Sequence, residues 1–236
     1  MSKVHAERLA AHIDGDFVVF LIGMPPQTFN AYYSESNNEI VLPAAIFVIP
    51  GVADEDIDDA VAYAYGGAST IGHEITHGFD DYGRKFDAGG NLAEWWSPED
   101  AAAFERKSTV LVKQFDAYEP LAGLHINGKA SLGENIADLG GLAIALDAFK
   151  KTEQYKTNVK IDGYTPLQRF FLGYSLAWMN QLRDEETRKR LLSDEHAPSK
   201  YRVLGPVSNF AEFYEAFGVT PKHKMWRDVG DRALVW

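Results

Sequence analysis

The 236-residue sequence predicts an α+β domain, mainly helical, with a small sheet near the N-terminus. Three observations carry that expectation. Ser97-Pro98 and Thr165-Pro166 each place an N-cap residue before a first-turn proline, ahead of long stretches with no further proline. The segments that read as strands all fall before residue 43. Hydrophobic residues make up 46% of the chain and aromatics 13%, enough for a packed core.

The elements follow in order. Residues 3–13 are weakly helical, and the apolar run 17–22 reads as a buried strand. Its six residues are too few for a signal core or a membrane span. Gly23-Met24-Pro25-Pro26 breaks the chain. Residues 29–33 and 39–42 are two short strands around a turn at 34–38, a hairpin. Asp54, Asp56 and Asp58 set negative charge at the start of a helix expected over about 55–80. Gly66, Gly67 and Gly72 within it point to close packing or close approach to a site. After a turn at 87–90, helices are expected from Pro98 to about Tyr118, from Leu132 to about Lys151 and from Pro166 to about Arg183. The last of these has an apolar face of Phe170, Phe171, Tyr174 and Trp178, and a final helix covers about 208–217.

The net charge of -11 disfavours nucleic acid and anionic membranes as partners. With no cysteine, no disulfide can form, and any zinc must be held by histidine and carboxylate.

His73-Glu74-Ile75-Thr76-His77 is an HExxH pattern. On a helix, positions i and i+4 share a face, so both imidazoles can bind one metal, with Glu74 beside them to act on a water. A surface helix with two solvated histidines is the plainer alternative. A catalytic zinc takes three protein ligands. Glu134 and Asp138, four apart at a predicted helix start, are the best source: Glu134 as ligand, Asp138 as acceptor from a ligand histidine. Equally, both acids can simply favour a helix N-terminus.

Several motifs in order resemble the family of neprilysin, endothelin-converting enzyme and bacterial endopeptidase O. They are Asn30-Ala31-Tyr32-Tyr33, residues 38–44 (NEIVLPA), 71–81 (IGHEITHGFDD), Asn127-Gly128-Lys129 with 133–138 (GENIAD), and 201–209 (YRVLGPVSN). The resemblance covers residues 25–236 and implies a thermolysin-like zincin (gluzincin) catalytic domain there, with 1–24 a divergent N-terminal segment. It implies one Zn²⁺ held by His73, His77 and Glu134, with Glu74 as general base and Asp138 orienting a histidine. By the same resemblance His196 stabilises the oxyanion, Arg202 grips a substrate carbonyl, and Asn30 and Ala31 bond the peptide backbone. Ile46 and Trp178 wall one apolar specificity pocket, with Thr70 and Ala177 nearby; plain core packing is the alternative for Ile46 and Trp178.

The resemblance thus implies a zinc metalloendopeptidase acting on oligopeptides, along a substrate strand laid on the edge strand that carries Asn30 and Ala31. Full family members are about three times as long, and their N-terminal portion closes over the site; here a missing domain or a partner chain would have to supply that. Val219 and Ala233 stand where animal members have cysteines, Gly51 stands where an aromatic residue is common, and Leu234-Val235-Trp236 matches the family's ending. The expected setting is the bacterial cytoplasm, with an exported form left open. Two other readings stand beside the peptidase: a truncated zinc-binding remnant with little or no activity, and a non-catalytic interaction module.

Overall fold

The computed structural model describes residues 24–234. The expected helix at 3–13, the strand at 17–22 and the terminal Trp236 lie outside them. Strands β1 (Tyr32–Ser34) and β2 (Glu39–Val41) pair antiparallel, with Tyr33 opposite Ile40. Asn38 turns the hairpin in the left-handed region at φ 46°, a conformation asparagine tolerates. β1 begins three residues later than expected, so Asn30 and Ala31 precede the ladder instead of lying within it.

The site helix, α1, spans 59–77. It opens with Asp59–Ala62, widens into a π-helical segment over Tyr63–Gly72 and closes with His73–His77. It starts later than expected because Asp58, not the acids at 54–56, is the N-cap: its carboxylate accepts from the Ala60 amide and pairs with Arg169. Asp54–Asp56 form a separate 3₁₀ turn. Then come α2 (Pro98–Asp116), α3 (Leu132–Phe149), α4 (Glu153–Thr157), α5 (Pro166–Ala177), α6 (Asp184–Ser193), α7 (Ser199–Val207) and α8 (Ala211–Phe217). Ser97 caps α2, and Thr165 with Gln168 forms a capping box on α5, as the Ser/Thr-Pro pairs predict. α5 stops at Ala177, six residues short of the expected end, where Trp178 leaves helical geometry at φ -105°.

α3 is the central element. One side packs Leu142, Leu146 and Phe149 against Ala60, Ala64 and Ala68 of α1 and Phe170 and Tyr174 of α5. The other packs Leu132, Ile136 and Leu139 against Leu111 and Phe115 of α2 and Tyr201 of α7. A helix apolar on nearly all sides belongs in a core. Within it Asp138 is fully buried, so its charge requires a partner.

α1 and α3 cross backbone to backbone. A Cβ on Gly72 would lie 2.8 Å from the Gly141 Cα, and one on Gly141 would lie 2.4 Å from the Ala68 carbonyl oxygen. This bears out the reading of Gly72 as a close-packing position. Gly66 and Gly67 have room for a side chain. The crossing brings the first turn of α3 against the last turn of α1.

α7 contains Pro206, whose missing N–H leaves the Arg202 carbonyl without its helical donor. The Tyr174 hydroxyl from α5 donates to that carbonyl at 3.1 Å, which makes the proline tolerable and ties α7 to the core.

Candidate metal centre

The last turn of α1 presents His73 and His77 side by side, their Nε2 atoms 3.0 Å apart. Each ring is held from behind. His73 Nδ1 lies 2.9 Å from Asp138 Oδ1, and His77 Nδ1 lies 2.7 Å from Asp80 Oδ2. A ring that donates its Nδ1 proton to a carboxylate turns a bare Nε2 lone pair forward. Glu134, in the first turn of α3, adds its carboxylate: Oε2 is 3.3 Å from His73 Nε2 and Oε1 is 3.6 Å from His77 Nε2.

Three acceptor atoms therefore converge with no donor between them, an arrangement that repels itself unless a cation is shared. Ligands about 2.0–2.1 Å from a tetrahedral zinc stand about 3.3 Å from one another. The observed 3.0, 3.3 and 3.6 Å bracket that spacing, so the donor set fits such an ion. Without a metal, the cationic form of His73 is favoured in its place. Burial works against that charge, but the contacts with Asp138 and Glu134 prevail and push the pKa up to about 9. Burial likewise opposes the charge on Glu134, and contacts with His196 and His73 still hold its carboxyl far below the usual range.

Glu74 is buried and lines the same cleft, a cavity of about 670 Å³. Burial raises its pKa, and the nearby His73 and His77 act in the opposite direction. A carboxylate raised towards neutrality is a better proton acceptor than an ordinary one.

Arg202, on α7, is almost fully buried. Its Nε and Nη2 each donate to Asp138 at 2.8 Å, and Nη2 also reaches Glu134 at 3.3 Å. The guanidinium lies 3.9 Å from the Trp178 ring centre. Asp138 thus joins His73 to Arg202; burial opposes its ionisation, and Arg202 and His73 hold its pKa down. Nη1 of Arg202 takes no part in these bonds, and the side chain lines the cleft.

His196 stands at the cleft mouth, Nε2 3.1 Å from Glu134 Oε2. Asp194 fixes it by accepting from the His196 backbone amide at 2.9 Å and contacting Nδ1 at 2.8 Å. Burial works against its charge, but Glu134 raises its pKa. Asn30, Ala31, Ile46, Ala177 and Trp178 all line the same cleft, so every site residue singled out in the sequence except Asp138 borders it, and Asp138 lies directly behind. The sequence reading passed over Asp80 and Asp194. The signal for Asp80 was its position three residues after His77; that for Asp194 was its place two before His196.

Comparison with known proteins places the chain in a family. The model of peptidase family M13 matches residues 30–232. The chain belongs to that family. Neprilysin-3 of Drosophila melanogaster is 38% identical over 219 residues, which cover 91% of this chain and 27% of the relative. Human endothelin-converting enzyme 1 is 39% identical over 206 residues, covering 86% and 26%. The crystal structure of the zinc metalloprotease Zmp1 of Mycobacterium tuberculosis, in complex with an inhibitor, matches at a TM-score of 0.82 and 42% identity, over 90% of this chain and 33% of that one. The crystal structure of PepO from Lactobacillus rhamnosis matches at 0.79 and 35%, over 89% and 31%. The chain spans about a quarter of the length of these curated relatives. No helix among the described residues is long and apolar enough to cross a membrane.

Proposed function

We propose that residues 25–236 form the catalytic domain of a zinc metalloendopeptidase, with His73, His77 and Glu134 as ligands of one Zn²⁺. The convergence of three acceptor atoms at zinc-ligand spacing, with Glu74 in the same cleft, carries this reading. When bound, zinc supplies Lewis-acid polarisation of a carbonyl and lowers the pKa of water. Glu74 takes the proton of the attacking water and passes it to the leaving amine. His196 donates from Nε2 to the oxygen that becomes negative, a contribution of about 3 kcal/mol for a well-placed donor. Arg202 Nη1 donates to a substrate carbonyl, while its other nitrogens keep Asp138 ionised behind His73. The stretch at Asn30, which is exposed, and Ala31, which is buried, bonds the peptide main chain just before the hairpin ladder begins.

The test is cleavage of a quenched oligopeptide. Chelator-sensitive turnover is expected, and Glu74→Gln should abolish it while zinc stays bound. Turnover by Glu74→Gln would remove Glu74 as the base. The second reading is a zinc-binding remnant of low activity. Bound zinc with no chelator-sensitive cleavage would select that reading. Absence of zinc affinity would sink both and leave an interaction module.

A further inference from the structure

We infer, on the basis of the peptidase reading, that Tyr174 is a positioning residue of this site, its hydroxyl setting Arg202 by holding the backbone carbonyl that Pro206 deprives of a helical donor. The end of α5 grips Arg202 at two points. The Trp178 ring centre lies 3.9 Å from the guanidinium, and the Tyr174 hydroxyl donates to the main-chain carbonyl at 3.1 Å. The two aromatic residues are four apart in sequence, with ring centres 6.3 Å apart and edge to face. Tyr174 is fully buried and does not line the cleft, so it reaches a substrate only through its neighbours.

Pro206 makes the hydroxyl necessary. In a helix the amide of residue 206 donates to the carbonyl of residue 202, and proline has no N–H to give. A buried carbonyl left unpaired is costly, and a helix relieves it by tilting the group towards water. Such a tilt in α7 displaces Arg202, whose Nε and Nη2 each donate to Asp138 at 2.8 Å. Asp138 in turn backs His73 at 2.9 Å. One hydroxyl thus governs both the guanidinium offered to substrate and the ring offered to the metal. Burial pushes the Tyr174 pKa well above its ordinary value, so the phenol remains a donor at neutral pH.

The experiment is a double-mutant cycle in the full chain. Tyr174→Phe removes the hydroxyl and keeps the ring, Pro206→Ala restores the amide donor, and a third variant carries both. KM and kcat are measured on a quenched oligopeptide at saturating zinc, and zinc affinity by chelator competition. Tyr174→Phe should raise KM about tenfold with kcat within about twofold, because Arg202 holds a substrate carbonyl before and during reaction alike. It should also weaken zinc binding about tenfold. Pro206→Ala alone should leave both quantities within about twofold of wild type, and in the double variant it should return both to that range. A defect in either quantity that Pro206→Ala reverses supports the proposal. No defect in Tyr174→Phe, or one that persists in the double variant, overturns it, since an added amide does not mend lost packing. A reversible loss of zinc affinity with no wild-type cleavage keeps the positioning role and removes the peptidase; a wild type without zinc affinity overturns both.

Discussion

On one side of the cleft, α1 and α3 cross with Gly72 against Gly141, and a chain of contacts backs the histidines: His73 by Asp138, His77 by Asp80, Asp138 by Arg202. On the other side stand a two-stranded hairpin, the exposed Asn30 and the loop carrying His196, whose side chain is 40% exposed. The first wall is core, with both histidine rings backed by carboxylates and its two helices in close contact. The second is surface, positioned by a few local hydrogen bonds such as that of Asp194 to the His196 amide. The residues proposed to hold the metal thus lie in the packed core, whereas Asn30 and His196, proposed to hold substrate, lie at the surface of the described residues.

The strongest way to break that contrast is to strike the crossing. Gly141→Val puts a side chain where a Cβ would already be 2.7 Å from the His73 amide nitrogen. It should cost about 3 kcal/mol or more, seen as loss of a cooperative thermal transition. Gly230→Ala, at a position with open space, should stay within about 0.5 kcal/mol of wild type. The opposite wall is probed by His196→Ala, expected to lower kcat about 100-fold to 1,000-fold with zinc content and melting temperature unchanged. Loss of zinc in that variant would place His196 with the rigid wall. Asp138→Asn sharpens the comparison from behind the metal: zinc affinity, measured by chelator competition, should fall about 10-fold to 100-fold.

The smallest effect is expected far from the cleft. Burial opposes the charge on Glu212, yet Lys150 holds its carboxyl below the usual range. A depressed carboxyl stabilises the fold above its unfolded pKa and loses that contribution as pH falls through the folded one. Lys150→Met should therefore cost about 0.5 kcal/mol at pH 7, in denaturant titrations, and nothing once Glu212 is protonated in strong acid.

The rigid wall was the more legible in the sequence. Helical spacing drew attention to HExxH and to the acids at Glu134 and Asp138 but left plainer readings open, which only the family resemblance weighed against; the Ser/Thr-Pro pairs located α2 and α5. α7 was hidden because Gly205-Pro206 reads as a break, and only the Tyr174 hydroxyl, remote in sequence, makes the proline acceptable there. α6 was missed because it has no buried face to mark a helical period. Its signal was charge instead: Asp184, Glu185 and Glu186 at the start and Arg190 near the end, as the helix dipole prefers. The π-helical widening of α1 has no signature in residue type.

The meeting of Gly72 and Gly141 also sets a limit on engineering this molecule. Both partners are already the smallest residue available, so a bulkier side chain at either one has no compensating reduction left at the other. Libraries aimed at a hardier variant will find no foothold at that crossing. The margin for redesign lies in α6, which has no fully buried residue, provided that Arg190, paired with Asp194 behind His196, and Leu191, packed on the core, are kept.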